Sequence, residues 1–162
     1  MNIEIPKFLN DYIEKLTSEF DIEEIWLFGS RANNTATENS DWDMWAFANP
    51  EVLTALKGRT DYKSKEIDLM IVYDDNNWEQ PWTTIAKTGE ERTKHGQLLS
   101  NACDFKRIDH KTAEYCATKV IGIEWYYQTF KAYKIWGKNV RMIFTDEEKP
   151  GGVVGDKNLG RK

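Results

Sequence analysis

The sequence predicts an α/β fold, a small mixed β-sheet backed by helices with a helical C-terminal extension, and three observations predict it. First, Ile5, Phe8, Leu9, Tyr12, Ile13, Leu16 and Phe20 recur at the spacing of one helix face. Second, three apolar runs of strand length follow, at residues 25–28, 44–48 and 67–73. Third, Ala113, Cys116, Val120, Ile123, Tyr127 and Phe130 lie at spacings of 3, 4, 3, 4 and 3, a heptad-like stripe predicting a long helix that packs on the first part of the chain.

Each element has local support. Pro6 suits the first turn of the opening helix, where its missing N–H costs nothing. Ile25-Trp26-Leu27-Phe28 reads as a buried strand that ends abruptly at Gly29-Ser30. Met44 to Ala48 is a second strand with Asp43 at its mouth. Pro50 to Leu56 predicts a short helix closed by Gly58. Ile67 to Tyr73 is the most β-like stretch, and Asp74-Asp75-Asn76-Asn77 is a turn without the Gly and distal Glu of a calcium loop. A helix is expected from Trp82 to about Lys94, then a short strand at Gln97-Leu98-Leu99, and a last strand from Val140 to Phe144. Lys149 to Lys162 holds four glycines, a proline and four Lys/Arg, which predicts a mobile basic tail. Its glycines lack the order of a phosphate loop.

Composition sets the class. The chain has 162 residues, 40% hydrophobic and 30% charged, with 7 Trp, 7 Tyr and 7 Phe; that is too aromatic for a disordered chain. No apolar run approaches the roughly 18 residues of a membrane span, and Met1-Asn2-Ile3-Glu4-Ile5-Pro6 is unlike a secretory signal. A soluble cytoplasmic protein without a membrane partner is expected. Cys103 and Cys116 make a poor disulfide framework. His95 and His110 lack zinc-like spacing, and the sequon at Asn33-Asn34-Thr35 is idle without a secretory route.

The net charge of −5 conceals an asymmetry. Residues 1–101 carry 10 Lys/Arg against 19 Asp/Glu, and residues 102–162 carry 12 against 8, giving −9 and +4. Two readings follow: the halves meet different partners, or their opposite charges dock them together.

The chemistry concentrates between Ile25 and Phe47. A strand delivers Gly29-Ser30, a ten-residue spacer follows, and Asp41-Trp42-Asp43 leads into the next strand. Gly29 has no Cβ and lets backbone approach a phosphate. A helix beginning after Ser30 would turn free N–H groups toward an anion, and the Ser30 hydroxyl adds a donor. Asp41 and Asp43, two apart in extended chain, project to one side. Asp68, if its strand lies beside the second, reaches the same spot. Three carboxylates of this kind suit Mg²⁺, which prefers oxygen ligands, and with a phosphate-gripping Gly-Ser they describe a two-metal phosphoryl or nucleotidyl transfer site. If these acids were structural, Asp68 would be an unexplained carboxylate among Ile67, Leu69, Ile71 and Val72.

This stretch resembles the minimal nucleotidyltransferases of the DNA polymerase β-like superfamily. The pattern is carried by Gly29, Ser30, Asp41, Asp43 and Asp68, with Arg31-Ala32 continuing it. The ten-residue spacer is similar to that of the antitoxin nucleotidyltransferases paired with HEPN-type ribonuclease toxins. His95-Gly96-Gln97-Leu98-Leu99 looks like the segment that closes the minimal domain, so the resemblance covers roughly residues 5–100. It implies a nucleotidyltransferase domain over residues 1–101, a helical and strand extension packed on it over 102–148, and a flexible basic tail over 149–162. It implies Asp41, Asp43 and Asp68 as catalytic and metal-ligating residues, and Gly29, Ser30 and Arg31 as nucleotide-binding residues. The implied cofactor is Mg²⁺, two ions with Mn²⁺ able to substitute. The implied substrate is an NTP, whose NMP, AMP foremost, moves to a hydroxyl on a toxin-like partner protein, an RNA end or a small molecule. Two departures are Trp42 between the Asp residues, where the family has an aliphatic residue, and Asn33-Asn34 where it has glycine. Asn is the next best residue for a left-handed turn.

Several residues have two readings. Arg31 touches a triphosphate or is a surface arginine. Trp42 and Trp45 stack on a base or pack beside a strand. The run from Trp125 to Lys134 is an RNA surface or a helix face packed on the sheet. Three functions therefore compete: the nucleotidyltransferase, a catalytically silent antitoxin or binding module acting by contact, and an RNA-binding protein using the basic half.

Overall fold

The computed structural model describes residues 3–85, 89, 91–92 and 95–138. Helix α1 (Lys7–Glu19) starts after Pro6 and buries Leu9, Ile13 and Leu16. Strand β1 (Ile22–Phe28) leads into a turn at Gly29, and β2 (Trp42–Ala48) returns antiparallel to it. Helix α2 (Pro50–Lys57) starts on Pro50, buries Val52, Leu53 and Leu56, and ends at Gly58. A 3-10 turn at Thr60–Tyr62 then delivers β3 (Ile67–Tyr73), which lies parallel to β2.

Asp74 and Asp75 adopt left-handed φ of 52° and 65° and turn the chain into β4 (Asn77–Glu79). The fourth strand pairs with β3 on one side and with β7 (His95–Gln97) on the other. Between them β5 (Thr84–Ile85) and β6 (Glu91–Arg92) form a separate two-stranded ladder. The expected helix over Trp82–Lys94 is thus corrected: its described residues include this antiparallel ladder, and Gly89 has a φ of +84°.

The larger correction concerns the second half. Residues 102–138 are not helical. They form β8 (Lys106–Arg107), β9 (Thr112–Ile121) and β10 (Glu124–Gly137). A two-residue Gly122-Ile123 turn joins β9 to β10, with Gly122 at φ +65° in the first place, where a type II′ hairpin needs it. Eight of the fourteen residues of β10 are β-branched or aromatic, the types that pleated surfaces favour. The heptad-like stripe divides between two faces. Its Ala113 and Cys116 are an odd number of residues apart on β9, as are Tyr127 and Phe130 on β10, and alternate strand residues point opposite ways. The expected last strand at 140–144 and the tail at 149–162 lie outside the described residues.

One eight-stranded sheet results, in the order β7-β4-β3-β2-β1-β10-β9-β8. The predicted α/β fold with a helical extension is therefore replaced by a sheet-dominated fold with two α-helices among the described residues. The sheet curls strongly. The rings of Trp45 on β2 and Tyr115 on β9 lie 5.2 Å apart although two strands separate theirs, a span of about 14 Å on a flat sheet.

Alternation divides the core in two. Ile25, Leu27, Met44, Ala46, Leu69 and Ile71 pack with Leu9, Ile13, Leu16, Val52, Leu53 and Leu56 from the helices. The opposite faces of the same strands supply Trp26, Trp45, Met70 and Val72, which pack with Leu98, Phe105, Tyr115 and Ala132. The helices thus cover one side of the central strands, and the curled hairpin covers the other.

Charge helps dock the halves. Arg107 and Lys134 reach Glu24 at 2.9 and 3.8 Å, and Lys138 pairs with Asp21 and Glu23. Glu24 also accepts the indole N–H of fully buried Trp26 at 2.7 Å. Burial alone would raise the Glu24 carboxyl, but the Trp26 N–H, Arg107 and Lys134 outweigh it and hold the group below its ordinary 4.5. Its stabilisation is therefore present above pH 4.5 and lost as the pH falls through the lowered value. Replacing Glu24 by alanine orphans the Trp26 N–H and is expected to cost about 1–3 kcal/mol. The check is a lower urea midpoint at pH 7 with an unchanged slope.

Candidate active site

The candidate residues gather where β1 ends and β2 and β3 begin. Asp43 and Asp68 are direct register partners across the parallel β2–β3 pair, and Phe28 partners Asp43 across β1–β2. Asp43 shares its face with Trp45, and Asp68 shares its face with Met70, so both carboxylates belong to the side of the sheet away from the helices. Asp68 is buried at 8% exposure and accepts a hydrogen bond from the side-chain amide of Gln80, itself 7% exposed.

Gly29 is needed twice over. Its φ of +76° is a left-handed conformation. A Cβ placed on it would meet the Asp43 carboxylate, with Cγ at 3.0 Å. The acid of β2 therefore rests on the bare backbone at the end of β1, and a side chain there would displace it. The Gly29 N–H donates to the Tyr115 hydroxyl at 2.9 Å.

Residues 30–34 form a turn rather than the start of a helix, with the amides of Asn33 and Thr35 both bonded to the Ser30 carbonyl. Asn33 locks this turn to the hairpin. Its amide donates to the carbonyls of Gly29 and Lys131, and its Oδ1 accepts the Lys131 N–H at 2.8 Å. Asn34 takes the left-handed φ of 60°, which is where an asparagine substitutes for glycine most cheaply.

Arg31 is engaged within the loop. Its Nη2 and Nε donate to the Ser40 carbonyl at 2.9 and 3.2 Å, and its guanidinium lies 4.8 Å over the Trp42 ring. Exposed Asp41 stands just outside β2. It lines a cleft of about 330 Å³ with Arg31, Ser40, Trp42 and Lys65, and neither Asp43 nor Asp68 lines that cleft. Trp45 is packing: it is 2% exposed and stacks on Phe28 with ring centroids 3.8 Å apart.

Of the three predicted acids the fold makes Asp43 and Asp68 neighbours and leaves Asp41 at the rim. Among the described residues no three His, Cys, Asp or Glu side chains group closely enough to hold a metal. The pair still fits one hard cation. Two adjacent carboxylates offer oxygen donors, and Mg²⁺ is commonly held by one or two carboxylates completed by substrate phosphates.

Three residues of the site carry no signal in the sequence. Gln80 follows a three-residue strand, Asn33 sits in an idle sequon, and Tyr115 comes from the half outside the recognised pattern. Tyr115 is surrounded by Phe28, Trp45 and Phe130. Burial pushes its phenol up to about 12; the Gly29 N–H opposes that shift, and the Asp43 charge adds to it. A group raised in the folded state stabilises fully below its ordinary value of 10 and ceases to as the pH rises through 12. Tyr115→Phe leaves the Gly29 N–H without its acceptor and is expected to cost about 1–3 kcal/mol at pH 8. Because it also removes this titration, the wild-type advantage should shrink between pH 10 and 12, as urea midpoints at several pH values would show.

The arrangement defines a sheet-borne acidic site beside a glycine turn, and comparison with known proteins agrees with it. The family model described as polymerase beta, nucleotidyltransferase, matches residues 10–63, about a third of the chain. That stretch includes Gly29, Ser30, Asp41 and Asp43; Asp68 lies beyond it and joins through strand register. The match supports the nucleotidyltransferase superfamily and a general nucleotidyltransferase function. No curated protein matches the chain. Among the described residues no helix is long and apolar enough to cross a membrane.

Proposed function

We propose that the protein is a metal-dependent nucleotidyltransferase that moves an NMP, AMP foremost, from an NTP to a hydroxyl acceptor. The observation that carries this reading is the in-register pairing of Asp43 with Asp68 beside the Gly29 turn. Asp43 and Asp68 would hold Mg²⁺, which neutralises triphosphate charge and lowers the pKa of a bound hydroxyl when present. Asp41, exposed just before β2, would be the third acid of the site.

The chain's own groups orient the reactants. The Ser30 hydroxyl and the backbone of its turn would bind the triphosphate, and Gly29 would allow the close approach. The acceptor oxygen attacks the α-phosphorus, the bond from that phosphorus to the bridging oxygen breaks, and pyrophosphate leaves. The acceptor proton passes to a carboxylate of the pair.

The acceptor we favour is a partner protein, as for antitoxins of this superfamily. Support comes from the tip of the β9–β10 hairpin, where Ile121, Ile123, Trp125 and Tyr127 are 58%, 95%, 70% and 65% exposed. Solvent-exposed apolar groups in such density mark interaction surfaces. The same patch supports a second reading, neutralisation of a partner by contact alone. Neutralisation lost in Asp43→Asn supports catalysis, and neutralisation retained supports contact. The function itself is tested by pyrophosphate release from ATP with Mg²⁺ and candidate acceptor. It should depend on both, and metal-independent release would contradict the proposal.

A further inference from the structure

Gln80 is buried, and its two amide atoms fare very differently. Its N–H donates to Oδ1 of Asp68, whereas its carbonyl Oε1 is buried without a hydrogen-bond partner. An orphaned buried carbonyl is unfavourable, and an apolar side chain of similar length would avoid it. The segment is firmly held: Pro81 and Trp82 are buried next to it, and the Trp82 indole N–H donates to the Leu56 carbonyl at 2.9 Å. Gln80 therefore keeps its place at a cost to itself, and the group that gains is the Asp68 carboxylate.

We infer that Gln80 is a positioning residue for Asp68: by occupying Oδ1 with a neutral donor it fixes the carboxylate's rotation and directs its second oxygen toward a cation shared with Asp43. This inference rests on the nucleotidyltransferase reading. Partners that orient a metal ligand in this way typically change metal affinity 10–100-fold when removed.

The test uses the full chain and Mn²⁺ followed by electron paramagnetic resonance, with and without a non-hydrolysable ATP analogue. Gln80→Met keeps the length and removes the donor. Gln80→Asn keeps an amide but falls a methylene short of Asp68, and it serves if the first variant fails to fold. Either folded variant is expected to bind Mn²⁺ roughly 10–100-fold more weakly, with KM for ATP at saturating metal unchanged. In an Asp68→Asn background the Gln80 substitution should have no further effect on Mn²⁺ affinity. Wild-type affinity in a folded Gln80 variant would overturn the positioning role alone. A wild-type protein that binds no Mn²⁺ with the analogue would overturn the nucleotidyltransferase reading together with it.

Discussion

Gly29→Ala is expected to destabilise the protein by at least about 1–2 kcal/mol, the cost of a left-handed conformation for an L-residue. It should also cut transfer activity roughly 100-fold, as misplacing a reacting group by about 1 Å does. Both effects come from one place. The φ of +76° disfavours any side chain, and the new methyl would stand where the Asp43 carboxylate lies. The acid must move, and with it one of the two groups that define the site. Gly58 supplies the control. Its φ is −91°, and the nearest atom to an added Cβ is the Ala55 carbonyl oxygen at 3.8 Å. Gly58→Ala should therefore leave stability and activity nearly unchanged. Thermal melts and initial rates on the two variants separate a required glycine from an incidental one.

Asp43→Asn should behave in the opposite way, losing activity while keeping stability. Nearly isosteric, it keeps the side chain's volume and exchanges a charged oxygen donor for an amide. The melting temperature is expected to be held or raised, whereas Mg²⁺-dependent transfer falls by more than roughly 100-fold. Residues retained for function at the expense of stability show this signature. Asp68→Asn should lose activity similarly but keep less of the stability, because Asp68 is buried and receives the Gln80 amide. A melting temperature that falls sharply in Asp43→Asn, with activity retained, would make the acid structural.

The first half of the chain was legible because its signals are local. Pro6 and the spacing of Leu9, Ile13 and Leu16 mark α1, Pro50 and Gly58 bracket α2, and the apolar runs around Trp26, Trp45 and Leu69 locate β1, β2 and β3. The place of Asp68 followed from its position inside a strand, although only the parallel register brings it beside Asp43. The second half misled because Ala113, Cys116, Val120, Ile123, Tyr127 and Phe130 fit a helical period across what is a hairpin. Gly122 and the density of aromatic and β-branched residues in β10 were the stronger signals. Tyr115 and Asn33 were out of reach, since each acts through a partner about 90 residues away in sequence, brought close only when the sheet curls. Arg31 and Trp42 had two readings each in the sequence, and the fold shows both engaged in the loop between β1 and β2.

The most direct measurement is transfer of label from ATP carrying ³²P at the α- or the γ-position, with Mg²⁺, in the presence of host lysate, with Asp43→Asn beside the wild type. An active nucleotidyltransferase attaches the α-label to a protein acceptor and releases the γ-label as pyrophosphate, and the variant does neither. Attachment of γ-label would make the protein a phosphotransferase. The absence of label on any protein, RNA or small-molecule fraction, together with no effect of Mg²⁺-ATP on the melting temperature, would contradict an active nucleotidyltransferase site at Asp43 and Asp68.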